Sequence, residues 1–404
     1  MMNSDAKNSK LVLRFLWNIA ITTFFAININ YEWRKGYFAW YGSLIFVVVS
    51  YLIVHGGRVK LKMSLFAKWL ISFVILGLLS IIWCQSSGYV IDIIKSCVVY
   101  IIVLLLLEFS IEFGYNVDTL LKGYLVAIVI NSIYVFLTID VASLGDIQIG
   151  DQLLEGWNGN GIGFMASQGA FIAYYLFGRS KSQFKKLLYV FVMLGLCFLT
   201  IYTGSRTAFI VLVLSFVIYL WMCKPTKIVR NLIVTLLLLC GSLYLVMNIE
   251  SLYKVLGMRL EGLFSLFSGQ GKVDSSADIR DLFIQNGKKW FLEKPIVGYG
   301  LNNYKVLNGV ATGRYTYAHN TFVELAVGLG CVGLIWYYSA YAYLIKRFVT
   351  TFKNDSLNRF LFVSLLVSLI SQYGTVSYYE FYQNLLLMLC FYVVAKTNKK
   401  RSFD

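Results

Sequence analysis

The chain has 404 residues, 58% of them hydrophobic and 14% charged, with a mean hydropathy of +0.69 and a formal net charge of +16. A soluble domain would carry about a quarter charged residues, so that class is excluded. The basic excess does not indicate nucleic acid, because the lysines and arginines sit in short loops between apolar runs, as in membrane proteins that set orientation by charge.

Apolar stretches of about 20 residues recur along the whole chain, and only two prolines interrupt them. The pattern predicts an all-α, polytopic integral membrane protein with about twelve transmembrane helices and one large extracytoplasmic loop. The expected spans are 11–29, 38–55, 65–84, 89–109, 119–139, 160–178, 186–203, 206–223, 230–249, 319–345, 358–377 and 381–396. Lys7 and Lys10 lead straight into the first span, without the layout of a cleavable signal. The seven cysteines lie mostly inside apolar segments, form no CxxC pair, and read as small hydrophobes.

Basic clusters follow the even-numbered spans: Arg58, Lys60 and Lys62; Arg179, Lys181, Lys185 and Lys186; Lys224, Lys227 and Arg230; Lys346, Arg347, Lys353 and Arg359. The tail adds Lys396, Lys399, Lys400 and Arg401. These ends, and both termini, are expected in the cytoplasm. The segment after span five is acidic instead, with Asp140, Asp146, Asp151 and Glu155. The chain thus divides into spans one to nine (1–249), an extracytoplasmic loop with short helices (250–318), and spans ten to twelve with a cytoplasmic tail (319–404). A loop of that length is usually functional. Its basic residues include Lys254, Arg259, Lys272, Arg280, Lys305 and Arg314, and suit an anionic ligand. Its acids, among them Glu261, Asp278 and Glu293, equally suit a plain solvated loop.

Four stretches could carry chemistry. In "EGWNGNGIG", opening span six, Asn158 and Asn160 lie between glycines, as in a sugar-binding loop or a simple turn. In "YTGSRTAFIVL", Gly204 and Ser205 form a tight turn that places Arg206 at a helix N-terminus. The helix dipole disfavours a cation there unless an anion such as phosphate engages both the N–H groups and the guanidinium. The alternative is an arginine snorkelling to lipid headgroups.

In "DSSADIRDLFIQNGKKWFLEKPIVGYGLNNY", Ser275 or Ser276 can cap a helix whose apolar face is Ile279, Leu282, Phe283, Trp290 and Phe291, stopped by Pro295. Such a helix would lie on the membrane or on the bundle and carry Arg280. In "YAHNTFVEL", His319 and Asn320 begin span ten, with Asn320 a natural cap. Glu324 lies one turn further in, where an ionisable group should face a polar cavity. The alternative for His319 is an interfacial histidine bonded to the loop. No HExxH, Walker loop, GxSxG or cytoplasmic DxD-like pair occurs, so no metal or cofactor is expected.

Three blocks occur in order: the GSRTA turn, the series Arg280–x9–Trp290–x4–Pro295–x2–Gly298–x–Gly300, and AHN-x-F-x-E-L from Ala318. Over roughly residues 155–345 this order resembles the O-antigen polymerase and ligase superfamily. The resemblance implies an enzyme at the outer face of the bacterial cytoplasmic membrane that transfers glycans from an undecaprenyl-pyrophosphate carrier. A polymerase of this kind moves the growing chain onto a new lipid-linked repeat unit; a ligase moves a finished chain onto lipid A-core. Arg206, Arg280 and His319 match positions thought important in such enzymes. Arg259 lies in a more variable stretch.

The chemistry fits these residues. A pyrophosphate leaving group needs positive charge where negative charge develops, which Arg206 and Arg280 can supply without metal. The acceptor hydroxyl profits from a base, and a histidine titrating near neutral pH, His319, can serve. Glu324 would orient it or act as base instead. Ser205, Asn158, Asn160, Arg259, Arg314, Tyr317 and Asn320 are the candidate substrate-binding residues. Trp157, Tyr304, Tyr315 and Tyr317 could stack on sugars, although an interfacial aromatic belt also explains them. The expected partners are lipid-linked oligosaccharide repeat units, the bilayer and a separate chain-length regulator, with no nucleic acid. The alternative of another class is a transporter or flippase for lipid-linked sugars. Few mid-span charges (Asp92, Lys95, Lys122) speak against it.

Overall fold

The computed structural model describes residues 2–58, 63–140, 159–223, 225–261, 275–351 and 355–401, and their regular elements are all helical. The main helices are α1 (Met2–Ile29), α2 (Tyr31–Lys35), α3 (Tyr37–His55), α4 (Leu65–Leu79), α5 (Ser87–Glu112), α6 (Val117–Thr138), α7 (Gly159–Arg179) and α8 (Gln183–Tyr202). They continue with α9 (Arg206–Cys223), α10 (Ile228–Asn248), α11 (Ser275–Glu293), α12 (Tyr304–Thr312), α13 (Thr321–Thr351), α14 (Ser356–Ser371) and α15 (Phe381–Arg401).

Each of the twelve expected spans falls on a helix. Among the described residues nine helices are long and apolar enough to cross a membrane. The other three expected spans depart for physical reasons. α14 and the apolar part of α15, Phe381–Thr397, are shorter. α7 has the length but opens on Gly159, Asn160 and Gly161 and is buried nearly all round. Its neighbours are helices rather than lipid, so it needs less apolar character. By contrast α8 and α10 leave large apolar side chains such as Phe191, Leu194, Leu236 and Leu237 exposed, as lipid-facing helices do. The protein is a polytopic helical membrane protein.

Local chemistry sets the helix starts. Ser64 Oγ accepts from Ala67 N (3.0 Å), Asn116 Oδ1 from Asp118 N (2.7 Å), and Asp355 Oδ1 from Asn358 N (2.9 Å). Each cap satisfies an N–H that the helix itself cannot.

The chain forms two compact units. The first holds residues 1–60 and 106–264, and so contains α1–α3, the end of α5, α6–α10 and the turns Glu250–Leu252 and Tyr253–Gly257. The second holds residues 61–105 and 265–404, with α4, most of α5, and α11–α15. The boundary divides the segment 250–318 expected as a single loop. Residues 262–274 of it lie outside the described residues.

In the second unit, α13 is not a continuous helix. Gly330 has φ 62° and ψ −158°, which interrupts it. The freed carbonyls of Val327 and Gly328 accept from Tyr299 N and Gly300 N, both at 2.8 Å. The freed N–H groups of Cys331 and Val332 donate to Pro295 O (2.8 Å) and Ile296 O (3.2 Å). A Cβ at position 330 would sit 2.3 Å from Ile296 O, so only glycine fits. The sequence Pro295–Gly300 is thus the hydrogen-bonding partner of a broken membrane helix. The same loop is pinned behind. Leu301 N donates to Ser80 Oγ (3.0 Å), Asn302 Nδ2 to Tyr89 O (3.1 Å), and Asn303 Oδ1 accepts from Ser86 N (2.7 Å).

Candidate active site

In the first unit the GSR turn forms as its residues predict. Gly204 adopts φ 63°, and a side chain there would meet the Val255 carbonyl at 2.8 Å. Arg206 is the first residue of α9, and Ser205 Oγ accepts from Ala208 N at 3.3 Å, capping it. Ser205 Oγ also donates to Asn160 Oδ1 at 2.7 Å, which fixes the start of α7 to the turn. Asn158 lies outside the described residues. Arg259 comes to the same place from the segment after α10. Its Nη1 donates to Gly204 O (3.0 Å), and Arg206 Nη1 donates to Arg259 O (3.4 Å). Phe209 of α9, Val246 of α10, and Leu256 and Leu260 of the segment that carries Arg259 pack together as a buried apolar cluster. Two half-buried guanidinium groups therefore share one turn at a helix N-terminus, and Arg259, the less secure of the two in sequence, is its direct neighbour. This arrangement suits a phosphate-type anion.

In the second unit the residues of "YAHNTFVEL" converge on a strained turn. His319 has φ 52°, uncommon outside glycine, and is held there from several sides. Glu324 Oε2 accepts from Ala318 N at 2.8 Å, and Asn320 Oδ1 accepts from Val323 N at 3.1 Å, capping α13. Thr321 N donates to Gln372 O (2.8 Å) and Thr321 Oγ1 to Thr375 O (2.8 Å), tying the turn to the α14–α15 connection. The imidazole stands 4.2 Å from the Tyr317 ring and stacks on Phe283 of α11 at 6.3 Å between centroids.

Burial among these rings, and then the Arg280 charge, push the His319 imidazole down to about 4. The expectation that His319 titrates near neutral pH is thereby corrected: it is a neutral acceptor throughout the physiological range. Glu324 lies on the first turn of α13. It is 1% exposed and shapes the backbone that presents His319, while its Oε1 has no hydrogen-bond partner among the described residues.

The remaining candidates divide. Arg280 acts on His319 from the first turns of α11. Tyr317 is half-buried against the imidazole and Asn320 is buried as a cap. Arg314 is exposed, and its carbonyl accepts from Asn308 Nδ2 at 2.7 Å to close a turn. Tyr304 cannot stack on a sugar, because it is fully buried and its hydroxyl donates to Phe283 O at 2.8 Å. Tyr315 is exposed. Trp157 lies outside the described residues.

Sequence reasoning passed over Lys305 among many loop lysines. It stands on the first turn of α12, with Nζ 5.8 Å from the Tyr89 ring, and its charge reaches Glu324. Only its place at the start of a short helix could have singled it out. Arg280 and Lys305 thus bring positive charge to the His319–Glu324 turn from two elements.

A search of curated proteins returned no match to the chain. Residues 188–338 match the family model Wzy_C, described as O-antigen ligase. That stretch contains Arg206, Arg259, Arg280, Lys305, His319 and Glu324, the charged residues of both clusters. Over this stretch, rather more than a third of its length, the chain is similar to that family of membrane proteins.

Proposed function

We propose that the protein is a polysaccharide polymerase of the bacterial cytoplasmic membrane. It moves a growing O-antigen or capsular glycan from undecaprenyl pyrophosphate to a sugar hydroxyl of a new lipid-linked repeat unit, at the outer face. The reading places both termini in the cytoplasm, following the basic loops. The observation that carries it is the pairing of a neutral, strained histidine with nearby positive charge in one unit; the other unit separately holds two arginines on a helix N-terminus.

The roles follow from charge and protonation. Arg280 with Lys305, at the His319 turn, stabilise the negative charge that grows on the departing pyrophosphate, and the Arg206–Arg259 turn of the other unit suits a phosphate-type anion of a lipid-linked substrate. The bond that breaks joins the sugar's anomeric carbon to the phosphate oxygen; the bond that forms joins that carbon to the acceptor oxygen. The acceptor's proton goes to His319, which is always unprotonated and so always able to accept a hydrogen bond. A base this weak contributes mainly by orienting the hydroxyl, with proton transfer late, so most of the acceleration rests on the cations. Glu324 and Asn320 position His319, and Tyr317 limits how the imidazole turns. Ser205 and Asn160 hold the arginine turn.

A second reading is ligation of a finished chain to lipid A-core, favoured by the description of the matched family. A flippase for lipid-linked sugars is the reading of another class. The test is the surface polysaccharide of a deletion strain complemented with wild type, Arg206→Ala, Arg280→Ala or His319→Ala. A polymerase predicts single repeat units on the lipid acceptor in the deletion and in the arginine variants. Long chains retained on the carrier would mean ligation, and repeat units retained on the cytoplasmic side would mean flipping.

A further inference from the structure

The Leu292–Val297 tip, from the last turn of α11 into the segment after it, exposes a row of large apolar side chains. Leu292 is 76% exposed, Ile296 68% and Val297 42%. Leaving such groups in water forfeits about 1.5–3 kcal/mol each. The tip is bonded to α13 through Pro295 O and Ile296 O, at the level of Cys331 and Val332. Just beyond, α13 presents Ile335 at 72% exposure, a side chain of the membrane-crossing stretch.

Depth follows from length. α13 spans 31 residues with its break at Gly330, and its unbroken part from Cys331 to Lys346 rises about 22 Å against a hydrocarbon core of about 30 Å. Counting about 30 Å back from the basic pair Lys346 and Arg347 reaches the neighbourhood of Val327. The helix break at Gly330 therefore lies near the far boundary, and the tip at the level of Val332 lies several ångströms inside it. Thr321, Glu324 and the His319 turn lie beyond the hydrocarbon.

The tip's charges suit that depth. Glu293 accepts from the Tyr299 hydroxyl at 2.7 Å, and Lys294 Nζ stands 4.5 Å over the same ring. Glu293 and Lys294, themselves exposed, thus engage one ring, and Lys288 and Lys289 are exposed one to two turns earlier, where long basic side chains can reach headgroups.

We infer that the Leu292–Val297 tip is a membrane-insertion element whose occupant is the acyl-chain region of the leaflet at that boundary, holding the His319 turn at a fixed height above the lipid. The surface is continuous with the lipid-facing side of α13, and the flanking lysines match phosphate headgroups. The inference holds whichever reaction the turn performs.

Hydroxyl-radical labelling of the full-length protein in phosphatidylglycerol-containing nanodiscs tests it, with each residue's yield normalised to the unfolded chain. Val310, 78% exposed on α12, is the water-facing reference, and Ile335 the lipid-facing one. Leu292 and Ile296 should label at least fivefold less than Val310 and within twofold of Ile335. Labelling within twofold of Val310 would overturn the insertion. As a second measurement, Ile296→Asp should label its neighbour Leu292 at least threefold more than wild type does, with an unchanged melting temperature. An unchanged Leu292 yield in that folded variant would overturn it too.

Discussion

His319→Asn separates the electrostatics of the turn from its shape. Asparagine tolerates the positive φ of this position but does not titrate. In the wild type, burial and Arg280 hold the imidazole at about 4, against about 6.5 in an unfolded chain. A basic group depressed in the folded state binds its proton more readily on unfolding. Its contribution to stability is therefore intact above pH 6.5 and is lost as pH falls from 6.5 toward 4. At pH 4.5 the full loss would be about 2.6 kcal/mol, and discounting for partial exposure leaves about 2 kcal/mol. For a chain of this size that is roughly 3 °C in Tm. The assay is the thermal melting of purified wild type and His319→Asn in detergent at pH 7.5 and pH 4.5. The variant should lose about 3 °C less than the wild type between the two. Equal losses would refute the assignment of a buried, neutral imidazole.

Glu324→Gln, which keeps an oxygen for Ala318 N–H, should retain at least a third of wild-type transfer, whereas Glu324→Leu should lose it; an inactive glutamine variant would make Glu324 the base. Lys305→Ala should weaken the lipid-linked donor at least tenfold in KM, with Lys305→Arg recovering much of it. Gly330→Val forces a side chain into the Ile296 carbonyl and should cost about 3 kcal/mol or more, read as a fall in Tm that Ile296→Ala does not rescue, because the clash is with backbone. His319 should contribute no acid limb to the rate of transfer near pH 6.5; a limb near pH 6.5 that His319→Asn removes would contradict this.

The helices and caps were legible in the sequence because they depend on local signals. Apolar runs locate the helices, and Ser205, Asn320 and Pro295 mark their ends. The GSR turn was legible for the same reason, since Gly204 and Ser205 form it with their immediate neighbours. What could not be read depends on residues distant along the chain. The environment of His319 is built by Phe283 and Arg280 of α11. Nothing in "NTFVE" shows that the Glu324 carboxylate turns back to Ala318. The break at Gly330 was hidden inside an apolar run that continues on both sides. Its partner, Pro295–Gly300, looked like an ordinary turn in an outer loop.

The central claim is glycan polymerisation by a metal-free, cation-driven transfer. Its most direct measurement uses purified protein in nanodiscs, lipid-linked repeat units and EDTA, with product length followed on a gel. The account predicts a ladder of lipid-linked chains from wild type, reduced at least a hundredfold in Arg206→Ala and Arg280→Ala. Repeat units that stay single with wild-type protein, or a ladder that forms only when a divalent ion is restored, would contradict it.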